Sequence, residues 1–220
     1  MDKLDLRKKY PEFYLPKAAP AIIDVPAMNF IMVDGKGNPN DTDGEYKKAV
    51  ELLYAFSYTI KMGLKAGLVP EGYIDYTVPP LEGLWWFTDP ANQDITKKDN
   101  YSWCSMIRQP DFITEQIFEE ARNKLRKKKP ELNVDIVRFE AFREGLCVHA
   151  LHIGPYDTEP ATIRFMEDFR KQQGFLDDIG SYSPEGKLRT HHEIYLSNPL
   201  QTKPSKLKTI LRHPIRRADW

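Results

Sequence analysis

The order strand, tight turn, amphipathic helix occurs twice in this chain, and it limits the fold more than any other feature. Asn29 to Asp34 reads as a strand stopped by the turn-forming cluster Gly35-Lys-Gly37-Asn-Pro39. From about Asp43 to Met62, Ala49, Leu52, Leu53, Phe56 and Ile60 recur at three- and four-residue intervals, a helix with one apolar stripe whose end Gly63 and Gly67 mark. The same order returns at Val148 to Ile153, Gly154-Pro-Tyr-Asp157, and a helix from about Glu159 to Gln173 that carries Ile163, Met166 and Phe169 on its buried stripe. A strand ending at Pro79-Pro80 follows the first helix and one ending at Asn198-Pro199 follows the second. The expected fold class is therefore α+β: duplicated βαββ units in a pseudo-two-fold arrangement, antiparallel strands with helices packed outside, and a central ligand cleft.

Between these copies, Tyr73 to Val78 and Leu84 to Thr88 suggest a hairpin-like pair, and Tyr101 to Arg108 a further strand. Ile113 to Lys128 is helical, with Ile117, Ala121 and Leu125 on one face and Pro130 after the end. Val134 to Phe142 and Leu146 to Ile153 read as a strand pair around a turn at Glu144-Gly145, and Leu207 to Arg212 as a last strand closed by Pro214. Pro11, Pro16, Pro20 and Pro26 leave little room for regular structure at the start. The expected organisation is an irregular arm over residues 1–27 and one domain over residues 28–220.

Charge excludes several partner classes. The 32 basic and 32 acidic residues cancel, which argues against nucleic acid or an anionic membrane as the main target. The basic run Arg122 to Lys129 is explained by the last turn of a helix, where cations complement the dipole. Cys104 and Cys147 lie far apart without metal spacing, so neither a disulfide framework nor a zinc site is expected, and a reducing cytoplasm fits. Met1 to Lys9 is charged throughout, with no apolar run of the kind that makes a signal peptide or membrane span. No metal or cofactor is expected, and the oligomeric state is left open.

The chemistry centres on His191-His-Glu-Ile-Tyr-Leu-Ser-Asn-Pro199. Strand alternation puts Glu193 and Tyr195 on one face with His191, and His192, Ile194 and Leu196 on the other. Alternation alone is satisfied by a solvated Glu193. A carboxylate on the wall of an aromatic cavity, by contrast, implies a cationic ligand or proton transfer. Trp85, Trp86, Trp103, Tyr156 and Tyr195 supply aromatic surface, although core packing accounts for any one tryptophan. Glu82 is the second carboxylate and Glu140 a weaker one, each equally open to a surface salt bridge. His149 and His152 differ by three in a strand and face opposite sides, so they do not chelate one metal together. Cys147 reads as a buried structural thiol, and Gly35-Lys-Gly37 lacks the rest of a phosphate loop.

Taken in order, Phe30 to Pro39, Pro80 to Trp86, His152 to Asp157, His191 to Pro199 and Leu207 to Arg212 resemble the stand-alone proteins of the gyrase-inhibitor-like (GyrI-like) small-molecule-binding family. That family is related to effector-binding domains of multidrug-sensing transcription regulators. The resemblance implies a buried glutamate at Glu193 and a glycine-proline-tyrosine turn at Tyr156, facing lipophilic, often cationic, aromatic ligands. Some stand-alone members hydrolyse electrophilic compounds such as cyclopropane-containing DNA-alkylating natural products. The activity it implies here is hydrolysis by glutamate-activated water, with Glu193, Tyr156 and Glu82 catalytic and Trp85, Trp86, Trp103, Tyr195 and Glu140 holding a small aromatic molecule. The alternatives are non-catalytic binding or sequestration, and a protein-interaction role.

Overall fold

β4 is a single strand of 16 residues, Arg138–Ile153, where the sequence suggests two strands and a turn. Gly145 takes a positive φ of 75° inside it, the signature of a bulge that bends a strand without ending it. Arg189 holds the bend by donating from Nη2 to the carbonyls of Glu144 and Leu146. β1, Ala21–Lys36, is equally long. It starts within the segment expected to be an irregular arm and carries Pro26. Its ladder to β3 (Tyr101–Arg108) begins only at Phe30, opposite Arg108, so the missing proline N–H costs that ladder nothing.

The computed structural model describes residues 3–66 and 69–218; Gly67 lies outside them. The remaining named elements are α1 (Leu6–Lys9), α2 (Pro11–Tyr14), α3 (Glu45–Ala66), β2 (Leu81–Phe87), α4 (Glu115–Lys128), α5 (Glu159–Gln172), β5 (Phe175–Asp177), β6 (His191–Tyr195) and β7 (Lys208–Arg217). The fold is mixed helix and sheet with antiparallel strand pairs. The order strand, helix, strand, strand occurs as β1–α3–β2–β3 and, with short β5 inserted, as β4–α5–β6–β7. Tyr73 to Val78 does not form a strand; Tyr76 makes an isolated parallel bridge with Leu4. β7 runs on through Pro214, which stands opposite Cys147.

The chain divides into two compact units, one of Met1–Lys9, Met28–Leu81 and Trp86–Phe142, the other of Tyr10–Ala27, Glu82–Trp85 and Arg143–Trp220. In the first, the apolar stripes of α3 and α4 meet: Phe56 stacks on Phe118 at 5.3 Å, and Phe118 on Phe139 at 5.6 Å. Thr114 caps α4 by accepting from the Ile117 amide. Arg122 lies over the Phe118 ring and donates to the carbonyls of Val134 and Val137.

In the second unit, β7 is central, flanked by β4, β6 and β5, with β2 beyond β6. Helix α5 covers one face through Met166, packed with Val148, Ala150, Leu211 and Ile215. Tyr14 covers the other, packed with Ile194 and Ile210. Among the described residues no helix is long and apolar enough to cross a membrane.

Candidate active site

Strand register decides which side chains of the second unit meet. In β6, His191, Glu193 and Tyr195 point to the α5 face, and His192 and Ile194 to the other. β2 runs antiparallel with Gly83 opposite Glu193 and Trp85 opposite His191, so Trp85 joins the Glu193 face and Glu82 is turned away from it. On β7, Leu211 stands opposite Glu193 and Arg212 opposite His192, which puts His213 on the Glu193 side.

Helix α5 adds the second acid. Glu159 is its first residue, 6% exposed, and its carboxyl hydrogen-bonds that of Glu193. Burial first, then the negative charges of Glu193 and Asp157, push Glu159 up to about 10, which favours its protonated form. The Glu193 side chain is 15% exposed, and its Oε1 lies 3.0 Å from His191 Nε2. Ligating atoms of Glu159, His191 and Glu193 lie within 4.8 Å of one another. That spacing suits either a cation or a proton shared between the two carboxyls.

An aromatic wall stands beside the acids. Trp85 Nε1–H donates to the Tyr195 hydroxyl at 3.0 Å, and the Tyr195 ring meets Tyr156 edge to face at 6.0 Å. Gly83 makes room for this pair. A Cβ there would lie 2.7 Å from Trp85 Nε1 and 3.2 Å from the Tyr195 hydroxyl. Tyr156 is 37% exposed. Burial, then the charges of Glu193 and Glu159, push its hydroxyl up to about 12, so it remains a neutral donor.

His152 secures the turn that delivers Tyr156 and Glu159. Its Nε2 lies 3.1 Å from the Pro155 carbonyl, its Nδ1 lies 2.8 Å from Thr162 Oγ1, and the Thr158 hydroxyl donates to the same carbonyl at 2.7 Å. With Nε2–H donating to Pro155, Nδ1 accepts from Thr162. The motif His152 to Asp157 is thus a clamp that ends β4 and starts α5.

Glu82 belongs to a different assembly. On the opposite face its Oε2 lies 3.0 Å from His192 Nε2, its Oε1 accepts from the Tyr14 hydroxyl, and His192 Nδ1 pairs with Glu144 at 3.0 Å. Arg212 binds the same Glu144 oxygen at 2.7 Å and donates to the Phe13 carbonyl. Burial would raise the Glu144 carboxyl, but the charges of His192 and Arg212 outweigh it and hold it well below the usual range. Burial would likewise lower His192, and Glu144 and Glu82 outweigh it, pushing the imidazole up to about 9. This is a buried ion network, and its alternation parity separates Glu82 from Glu193.

Three further residues singled out in the sequence lie in the first unit. Trp103 is 1% exposed, meets Tyr46 edge to face at 5.2 Å and lies over Gly35, its cross-strand partner. Its burial within that unit makes it a core residue. Glu140 pairs with Arg138 at 2.9 Å, and Trp86 is half-buried at the end of β2. Cys147 is fully buried, and burial pushes its thiol well above the usual value, leaving it inert.

Sequence reasoning missed Glu159, His191 and His213. His191 had a signal, since it shares strand parity with Glu193. Glu159 had a weak one, an acid two residues beyond Asp157 at a helix start, which dipole complementarity explains without any site.

The sequence model of the GyrI-like small molecule binding domain matches residues 18–216. A crystal structure of an uncharacterized conserved protein from Listeria innocua superposes with a TM-score of 0.88 at 45% identity, over 97% of this chain and 100% of that one. A crystal structure of a hydrolase from Listeria innocua gives 0.84 at 44% identity, over 97% and 100%. EcmrR in its cryo-EM complex with DNA gives 0.50 at 13% identity, over 97% of this chain and 62% of that one, a likeness of fold alone. No curated protein matches significantly. Residues 18–216 span nearly the whole chain, so this chain belongs to the GyrI-like small-molecule-binding domain family.

Proposed function

We propose that this protein is a hydrolase of electrophilic aromatic small molecules, with Glu193 as the general base and Glu159 as the general acid. The observation that carries this reading is the carboxyl pair: Glu159, its charge disfavoured by burial, against Glu193, beside Tyr156, Tyr195 and Trp85. The hydrolase from Listeria innocua, 44% identical over nearly the whole chain, supports the same class of activity.

The fitting substrate is a planar conjugated carbonyl compound bearing a strained cyclopropane. Its rings lie against the aromatic wall, and a water stands at Glu193. As the water oxygen bonds the ring CH2, Glu193 takes the water's proton. The strained C–C bond breaks and its electron pair moves through the conjugated system to the carbonyl oxygen. That oxygen takes the proton of Glu159, and the proton on Glu193 passes back to Glu159 across the hydrogen bond between them. The net change is addition of one water, with both acids restored.

The test is turnover of a spirocyclopropyl cyclohexadienone by the wild type, Glu193→Gln and Glu159→Gln. Removal of the base is expected to lower kcat by about 10²- to 10⁴-fold. Full activity in Glu193→Gln with an intact fold would refute the mechanism. Stoichiometric binding of the compound without product would favour the sequestering role instead.

A further inference from the structure

We infer that His191, held by His213 with an N–H directed at Glu193, biases the carboxyl pair, favouring the charge on Glu193 and leaving the shared proton on Glu159. The inference rests on the acid–base reading of that pair and adds two positioning residues to it.

His191 bridges two partners. Its Nε2 lies 3.0 Å from Glu193 Oε1, and its Nδ1 lies 2.7 Å from His213 Nε2, with the two rings edge to face at 4.9 Å. Two ring nitrogens that close hold one proton between them. The groups acting on His213 are His191 from β6, Arg170 from α5 and Glu144 from β4. Burial first, then His191 and Arg170, outweigh Glu144 and push His213 down to about 3, so it is neutral and has a single N–H.

Two arrangements place an N–H on His191 Nε2. If the His213 proton is on Nε2, it is donated to His191 Nδ1, and the proton of a neutral His191 stands on Nε2, facing Glu193. If it is on Nδ1, the bare Nε2 accepts from His191 Nδ1–H, and His191 is an imidazolium that also donates to Glu193. A His191 N–H reaches Glu193 Oε1 in both. In the remaining arrangement a neutral His191 carries its proton on Nδ1, and its bare Nε2 is satisfied only if Glu193 holds the proton of the pair, which puts the charge on Glu159, buried beside Glu193 and Asp157.

The other acid has no such support. The groups that act on Glu159 are themselves acidic, Glu193 and Asp157, and together with burial they disfavour a negative charge on it. A hydrogen bond to the charged form favours that form. One N–H directed at Glu193, and acidic neighbours around Glu159, make the pair asymmetric and assign base and acid.

The full chain, with glutamate carboxyls labelled with carbon-13 and assigned through Glu159→Gln and Glu193→Gln, reports the proton directly. At pH 7 the wild-type Glu159 signal is expected to be that of a protonated acid and the Glu193 signal that of a carboxylate. In His191→Phe both signals move toward a shared intermediate. The same variant is expected to lose about tenfold to a hundredfold in kcat on the spirocyclopropyl cyclohexadienone, the scale of one charge-assisted hydrogen bond, with KM within about threefold. His213→Leu reproduces the shift more weakly, and His213→Gln, whose amide N–H donates to His191 Nδ1, stays within about threefold of wild type. Unchanged carboxyl signals in a folded His191→Phe overturn the inference. If that variant does not fold, identical behaviour of His213→Leu and His213→Gln overturns it. An inactive Glu193→Gln beside a fully active His191→Phe defeats only this inference, whereas a fully active Glu193→Gln defeats the acid–base reading itself.

Discussion

At the scale of single residues, Gly83 is the most exposed to test. Its missing side chain leaves the space in which Trp85 and Tyr195 lie beside Glu193. Gly83→Ala must push a tryptophan edge aside, at a cost of about 1–3 kcal/mol for overpacking. A lower urea midpoint is expected, together with weaker binding of a planar aromatic ligand followed by tryptophan fluorescence; an unchanged midpoint and affinity would show the wall to be adaptable. The Glu193 face was legible in the sequence because alternation fixes parity within a strand, and His191, Glu193 and Tyr195 follow it. Glu82 was misplaced for a related reason. Its parity relative to Glu193 depends on which residue of β2 stands opposite which residue of β6, and register is a tertiary fact. Glu159 and His213 reach the site from α5 and β7, and nothing in their local sequence announces the meeting.

At the scale of elements, two local assemblies fix how the site is built. The His152 clamp joins the end of β4 to the start of α5, and His152→Ala removes its hydrogen bonds to Pro155 and Thr162. A stability loss of about 1–3 kcal/mol is expected, with a larger proportional loss of activity because Tyr156 and Glu159 lose their anchor. Equal activity per folded molecule would contradict the clamp's role. On the opposite face, Glu144 ties β4 to His192 of β6 and Arg212 of β7, with its side chain 7% exposed. Glu144→Leu strands two buried cations and is expected to cost about 3–5 kcal/mol, measured by chemical denaturation. A near-neutral effect would mean that water replaces the lost partner. Helices α4 and α5 were readable from apolar spacing and their proline flanks, since such signals are local. β4 was not, because a glycine can mark a turn or a bulge, and the Arg189 contacts that make it a bulge come from 45 and 43 residues away.

At the scale of the whole molecule, the buried titratable groups set the pH range of stability. His192 has an ordinary value of 6.5 and is held at about 9 in the fold. Its contribution is complete below pH 6.5 and is lost as pH rises through 9. Glu159, raised from 4.5 to about 10, acts in the same direction over a wider range. Between pH 6.5 and 9 the folded chain therefore holds two protons that the unfolded chain releases, and each lowers stability by about 1.4 kcal/mol per pH unit. His149 and His213, pushed down to about 4 and about 3 chiefly by burial, act on the acid side, where unfolding takes up protons below 6.5. Urea midpoints measured across the range are expected to peak near neutrality or slightly below and to fall steeply toward pH 9, with a shallower fall in Glu159→Gln. A rise across pH 6.5 to 9 would contradict the proton assignment.

The central claim is that the carboxyl pair adds water to a bound electrophile. It is tested most directly by incubating the protein with excess spirocyclopropyl cyclohexadienone in oxygen-18 water and counting product by mass spectrometry. Many equivalents of ring-opened alcohol per protein are expected, each with one oxygen-18 on the former cyclopropane carbon, and none above background with Glu193→Gln. One equivalent or less, or product formed equally well by Glu193→Gln, would contradict it.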